Sequence, residues 1–297
     1  MKVEVVDNKS THTSPFLSPS WLNNCGAQYS VYLAGSAKSA LSRFTSKGIK
    51  ILATPPWALD CGLSCDCTHE EFLALSKSWS SASGAIKVID LPPSTRTCKL
   101  TSACIKQHTP KEFRIQWRHT RYLDLADKLP STRVKQIRRA SREGIVCTTV
   151  ENWTEIIELH NESRDRKSIR SNSSQLGKLL SSISSEEYSF AVEARNAEGE
   201  CIASGGFVMV NDCTCLYSFG GQKRSKLSGI ASVAMLAHAM EEARDRGATV
   251  LDFGGSSDPG VDRFYKEFGA TSVPKARLIQ VSWWLRPFLG LVRPDLV

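Results

Sequence analysis

Up to about residue 118 the apolar positions of this chain fall in short runs separated by serine-rich polar sequence. Ile49–Ala53 and Ala85–Ile89 read as strands, stopped by Pro55-Pro56 and Pro92-Pro93. Phe72, Leu73, Leu75 and Trp79 recur at helical spacing over residues 69–82. Beyond this region the periodicity is clearer. Arg121–Leu125 reads as a strand, and Val134, Ile137 and Ala140 mark one face of a helix from Ser131 that stops at Gly144. Glu151–Arg166 is expected to be helical, and Ser171–Ser185 a mobile serine-rich loop with a short helix. Tyr188–Ala194 and Cys201–Val210 read as strands joined by a hairpin turn at Asn196–Gly199, and Thr214–Phe219 as a third strand, broken by Gly220-Gly221. Ile230, Val233, Ala234, Ala237 and Met240 form the apolar face of a helix from Gly229 to Gly247. A short buried strand follows at Val250, Leu251 and Phe253. Gly254-Gly255 then turns the chain, Asp258 and Pro259 suit N-cap and N1 of a short helix, and Gly269 suits the residue past its end. From residue 188 the predicted order is strand, strand, strand, helix, strand, short helix, strand.

With 297 residues, 41% hydrophobic and 23% charged, the chain is long and apolar enough for a globular α/β protein of one large or two ordinary domains. The composition shift places the division at residues 1–118 and 119–297. A net charge of +8 and a pI near 9.0 suit an anionic partner such as a phosphorylated cofactor, RNA or an acidic membrane surface, and equally suit plain solubility. The densest positive patch, Arg133, Lys135, Arg138, Arg139 and Arg142, suits the same partners or a solvated helix face. The start, Met1–Val5, lacks the basic-then-apolar pattern of a signal peptide, so a cytoplasmic location and reduced thiols are expected for the ten cysteines. Cys61, Cys65, Cys67 and His69 are metal-ligand types, but their spacing matches no usual zinc pattern and no metal is expected. No apolar run reaches the ~18 residues of a transmembrane span. The tail from Val281 to Arg293 is apolar with two arginines. It is expected to pack on the protein as a last strand and short extension, with contact to a membrane surface as the alternative.

Lys226-Leu227-Ser228-Gly229-Ile230-Ala231 lies between a predicted strand and the long helix. Small residues there let backbone N–H groups face a ligand, the helix start adds partial positive charge, and Lys223, Arg224 and Lys226 add more, so a pyrophosphate could be held with few side chains. This segment resembles the acyl-CoA loop of the GNAT acyltransferases, Arg/Gln-x-x-Gly-x-Gly/Ala. Gly229 and Ala231 match it, and Lys226 departs from it in the first place. Phe264-Tyr265-Lys266-Glu267-Phe268-Gly269-Ala270 is similar to the later GNAT segment Phe-Tyr-x-x-x-Gly-Phe. The finer resemblance is to the FemAB-like branch, through Arg138–Gly144, the hairpin with Gly199 and Gly205-Gly206, and Asp252–Ala270, over about residues 121–284. Phe16–Leu22 looks like that family's opening segment.

The resemblance implies two tandem GNAT-like domains, the C-terminal one carrying the clearer motifs. It implies acyl transfer from acyl-CoA to a small-molecule or peptide amine by direct attack, with no covalent enzyme intermediate. Tyr265 is then the general acid. Asp258, Asp252 and Glu162 are candidate bases, with a helix cap as the other role for Asp258, and Tyr217 is a lesser candidate. Arg224, Lys226, Ser228, Gly229, Ile230 and Ala231 would hold the cofactor. His238, among apolar helix residues, reads as structural. Two alternatives stand beside this. One is a FemAB-type aminoacyltransferase drawing on aminoacyl-tRNA to build peptide bonds on a cell-wall precursor, which the basic helix favours. The other is a non-enzymatic binding module of the same fold.

Overall fold

The computed structural model describes residues 14–95, 98–166, 172–255 and 258–296. Met1–Val5, Ser171 and the Ser256-Ser257 pair, which figured in the sequence reading, lie outside the described residues. The protein is mixed α/β, in two compact units: one of residues up to His119 together with those from Val273 onward, the other Thr120–Ser272. Residues from 273 were expected with the second domain. They belong to the first because β11 (Thr271–Val281) pairs antiparallel with β4 (Ile86–Pro93) from Lys275 to Val281.

In the first unit, α1 (Pro19–Leu22) is followed by β1 (Gln28–Ala34), β2 (Ala37–Ser46) and β3 (Ile49–Ala53), an antiparallel meander. The crossover helix α2 (His69–Ser81) leads to β4, which is parallel to β3, and α3 (Ser102–His108) follows. The core is built on Leu41, Leu52, Phe72, Leu75, Trp79, Ile89 and Leu91, all buried. β4 extends from Ile86 through Pro92 and ends at Pro93. Pro93 sits opposite Lys275 beside the register shift between Lys275 and Arg277, where a missing N–H interrupts no regular ladder. After β11 the tail forms a 3-10 turn at Trp283–Leu285 and α9 (Arg286–Val292), which buries no side chain.

The second unit holds the end of β5 (Arg114–Asp124), then α4 (Ser131–Arg142), β6 (Val146–Val150), α5 (Thr154–Asp165), α6 (Ser173–Ile183), β7 (Ser189–Arg195), β8 (Cys201–Asn211), β9 (Thr214–Gln222), α7 (Ser228–Asp245), β10 (Val250–Asp252) and α8 (Pro259–Lys266). Its strands lie in the order β5-β10-β9-β8-β7-β6. β6 to β9 are antiparallel, and β10 runs parallel to β9. The apolar face of α7 closes the core with Val233, Leu236, Ala239 and Met240.

Three expectations change here. α6 is a full amphipathic helix, with Leu176, Leu179, Leu180 and Ile183 buried at helical spacing; its serines occupy the other positions and hide the pattern. β9 runs through Gly220-Gly221 to Gln222. Arg133 leaves the positive patch. It is buried, its guanidinium lies over the Phe264 and Phe268 rings (4.6 and 4.4 Å), and it donates to Phe264 O (2.8 Å) and Glu267 Oε2 (3.0 Å). It pins α4 to α8, while Lys135, Arg138, Arg139 and Arg142 remain exposed.

Candidate active site

A difference in strand length opens the site. β10 pairs with β9 only from Val250↔Thr214 to Asp252↔Leu216, whereas β9 continues from Tyr217 to Gln222. This stretch, paired with β8 but running beyond β10, borders a cleft of about 740 Å³ within the second unit. Its other walls are the end of α5 (His160, Ser163, Arg164, Arg166), α7 (Gly229, Ser232, Met235, Leu236) and α8 with its approach (Gly255, Asp258, Gly260, Val261, Phe264, Tyr265).

α7 begins without a side-chain cap, and its first turn contains no acidic residue. The Ser228 hydroxyl is used inside the preceding loop, accepting from Ser225 N at 2.8 Å and donating to Lys223 O. Ile230 and Ala231 are buried in the core. Gly229 is exposed, and a Cβ placed there would meet no atom within 4 Å. Glycine in a helix is less stable than alanine by about 1 kcal/mol, and no packing in the described structure requires it at this position. Arg224 and Lys226 are exposed and off the cleft lining.

The opposite wall depends on another glycine. A Cβ on Gly221 would collide with the Leu159 carbonyl, so its absence lets α5 press against β9. That contact carries His160 to the strand, with Nδ1 3.3 Å from Gly220 O and its ring edge-on to Phe219. Burial, helped by Arg164, lowers the His160 pKa to about 4, so the ring is neutral at pH 7.

Tyr265 is buried, stacked on Phe253 (4.6 Å between ring centroids) and edge-on to Tyr217 (6.4 Å). Burial pushes its phenol pKa far up, and Tyr217, Asp252 and Asp258 add to the shift, so it stays protonated. Asp258 caps α8, accepting from Gly260 N (2.9 Å) and Val261 N (3.3 Å). Asp252 is buried and off the lining. Its Oδ1 accepts from Gly254 N at 2.8 Å and from the Thr120 hydroxyl, which fixes the turn after β10. Glu162 faces Arg166 at 3.5 Å, and His238 Nε2 lies 3.2 Å from the Thr149 hydroxyl.

Of the residues singled out in the sequence, Tyr265, Asp258, Gly229 and Tyr217 therefore come together. Asp252, Ser228, Ile230, Ala231, Lys226 and Arg224 do not line the cleft. Sequence reasoning missed His160, Ser163, Arg164 and Arg166, whose one signal was the Gly220-Gly221 pair, read there as a strand break. Cys61 and Cys67 are buried and Cys65 is exposed. Among the described residues no group of three or more His, Cys, Asp or Glu is placed to hold a metal ion.

No family model and no curated protein matches the sequence. Solved structures do match. FemX superposes with a TM-score of 0.66 at 12% identity, over 92% of this chain and 93% of its own. L-PGS of Bacillus licheniformis gives 0.61 at 12% identity, over 98% and 99%. A C-terminal domain assigned to a lysylphosphatidylglycerol synthetase of Agrobacterium fabrum gives 0.60 at 14%, over 91% and 89%. The chain shares the fold of these structures, a mixed α/β arrangement in two compact units.

Proposed function

We propose that the protein is an N-acyltransferase that moves an acyl group from acyl-CoA to an amine. The observation that carries this reading is the open Gly229 at the uncapped start of α7, in the same cleft as the protonated Tyr265. N–H groups at the uncapped helix start suit a pyrophosphate, and an extended pantetheine arm would lie along the edge of β9 beyond β10. The amine nitrogen attacks the thioester carbonyl, the carbon–sulfur bond breaks, and Tyr265 gives its proton to the departing thiolate. The nitrogen's surplus proton passes through water to the Tyr265 oxygen, which restores the phenol. Asp258 is already engaged as a cap, and His160 is a weak base, so the amine enters neutral. The names of the matching structures, FemX and lysylphosphatidylglycerol synthetase, and the exposed cations of α4 favour a second reading, aminoacyl transfer from aminoacyl-tRNA.

Calorimetric titration with CoA and acetyl-CoA separates the two. Saturable binding, with Tyr265→Phe retaining affinity but losing about 100-fold in kcat, supports the first reading. Absent CoA binding, with tRNA binding that Arg138→Ala/Arg139→Ala removes, moves the assignment to the second. Binding without turnover on an amine panel leaves a non-enzymatic module.

A further inference from the structure

The tail of the first unit is apolar on two sides. Inward, Leu285 and Leu296 are buried and Leu289 partly so, against Ile86, Ile279 and Val281. Outward stand Trp283 (81% exposed), Trp284 (50%), Phe288 (70%), Leu291 (89%) and Val292 (76%). Because the inner leucines fasten the segment to the sheet, the outer set cannot turn inward without releasing them. Phe44, also exposed, lies opposite Ile51, which packs on the same cluster, so it extends the surface on that face of the sheet.

The charges that flank this surface are mostly positive. Arg286 opens α9, Arg293 follows it, and Arg114 donates to Asp295 O at 2.8 Å. Asp295, the one acid in the tail after Val281, is held by Arg293 through two bonds of 2.9 Å. The whole chain carries +8. A two-fold contact between copies would bring these arginines against themselves. No helix among the described residues is long and apolar enough to cross a membrane. A short element with paired tryptophans, Phe and Leu outward and arginines at its ends suits the headgroup boundary of an anionic bilayer, lying in its plane.

We infer that the Trp283–Val292 surface docks the protein on an anionic membrane. This inference does not depend on the transferase reading. The test is co-sedimentation of the full chain with vesicles of phosphatidylcholine alone or with about one-third phosphatidylglycerol, followed also by tryptophan emission. Binding to the anionic vesicles, weakened by salt, blue-shifting the emission and reduced roughly ten-fold or more in Phe288→Ser/Leu291→Ser, is expected. Both side chains are exposed, so the variant should unfold in urea like the parent. No binding to anionic vesicles overturns the proposal, as does equal binding by the variant. A self-association that the variant abolishes, without vesicle binding, assigns the surface to a second copy instead.

Discussion

The two units solve the same step of topology differently. In the first, β3 passes through α2 to the parallel β4; in the second, β9 passes through α7 to the parallel β10. The start of α2 is sealed. The Thr68 hydroxyl accepts from Glu71 N, and Glu71 Oε2 accepts from Thr68 N at 2.9 Å. Glu71 Oε1 takes Ser36 N at 2.7 Å and the Ser36 hydroxyl at 2.9 Å. These bonds, led by that from Thr68 N, lower the Glu71 pKa to about 2. A carboxylate of the chain itself thus occupies the helix start. The start of α7 has no such group, and its glycine faces open space. Two helices in equivalent places differ in whether a side chain of the protein closes the start, and under the proposed function the open one receives the ligand.

The sharpest way to break the comparison is to seal α7 as α2 is sealed. Gly229→Glu should lower CoA affinity about 100-fold or more, through loss of two or three charge-assisted bonds, with far-UV circular dichroism unchanged because the added side chain meets no neighbour. Undiminished affinity in calorimetry would remove α7 from the site. Gly221→Ala attacks the facing wall. The collision with the Leu159 carbonyl should reduce stability by about 2–3 kcal/mol in urea unfolding, and a variant as stable as the parent would show that α5 need not sit so close.

Acid titration tests the same wall without mutation. The folded pKa of His160 lies below its unfolded value, so its contribution is present above about pH 6.5 and is lost as pH falls toward 4. Between pH 7 and 5 that amounts to roughly 2 kcal/mol. His160→Asn should flatten this part of the stability curve. Glu71→Ala should remove about 1 kcal/mol at neutral pH. The Glu71 pKa is likewise depressed, so its contribution stands above about pH 4.3 and is lost toward pH 2. Urea midpoints between pH 7 and 2 in parent and variant would expose it. The smallest effect has opposite sign in two measurements: Gly229→Ala should raise stability by up to about 1 kcal/mol while weakening CoA binding. A gain in both would mean that nothing approaches that face.

Much of the second unit was legible because its signals are local. The hairpin at Asn196–Gly199, the apolar face of α7 and the Asp258-Pro259 start of α8 depend on neighbours within a few residues. The same local logic failed where a residue's role depends on a distant partner. Arg133 reads as surface charge until Phe264 and Phe268 enclose it, and Gly221 reads as a strand break until Leu159 arrives. The first unit was harder. Its β1 and β2 carry weak alternation, and its boundary strand β11 follows more than a hundred residues of the other unit.

By itself the sequence determined most helices and strands of the second unit, though not β6 or the full extent of α6 and β9, together with the cap of α8 and the resemblance that brought Gly229 and Tyr265 forward, since periodicity and capping act over one or two turns. The tertiary structure decided which of those residues share a cleft, that α5 supplies its other wall, and that α2 is closed by its own glutamate while α7 is open. Those outcomes depend on contacts between Leu159 and Gly221, or Ser36 and Glu71, whose partners are brought together only when the sheet and helices pack.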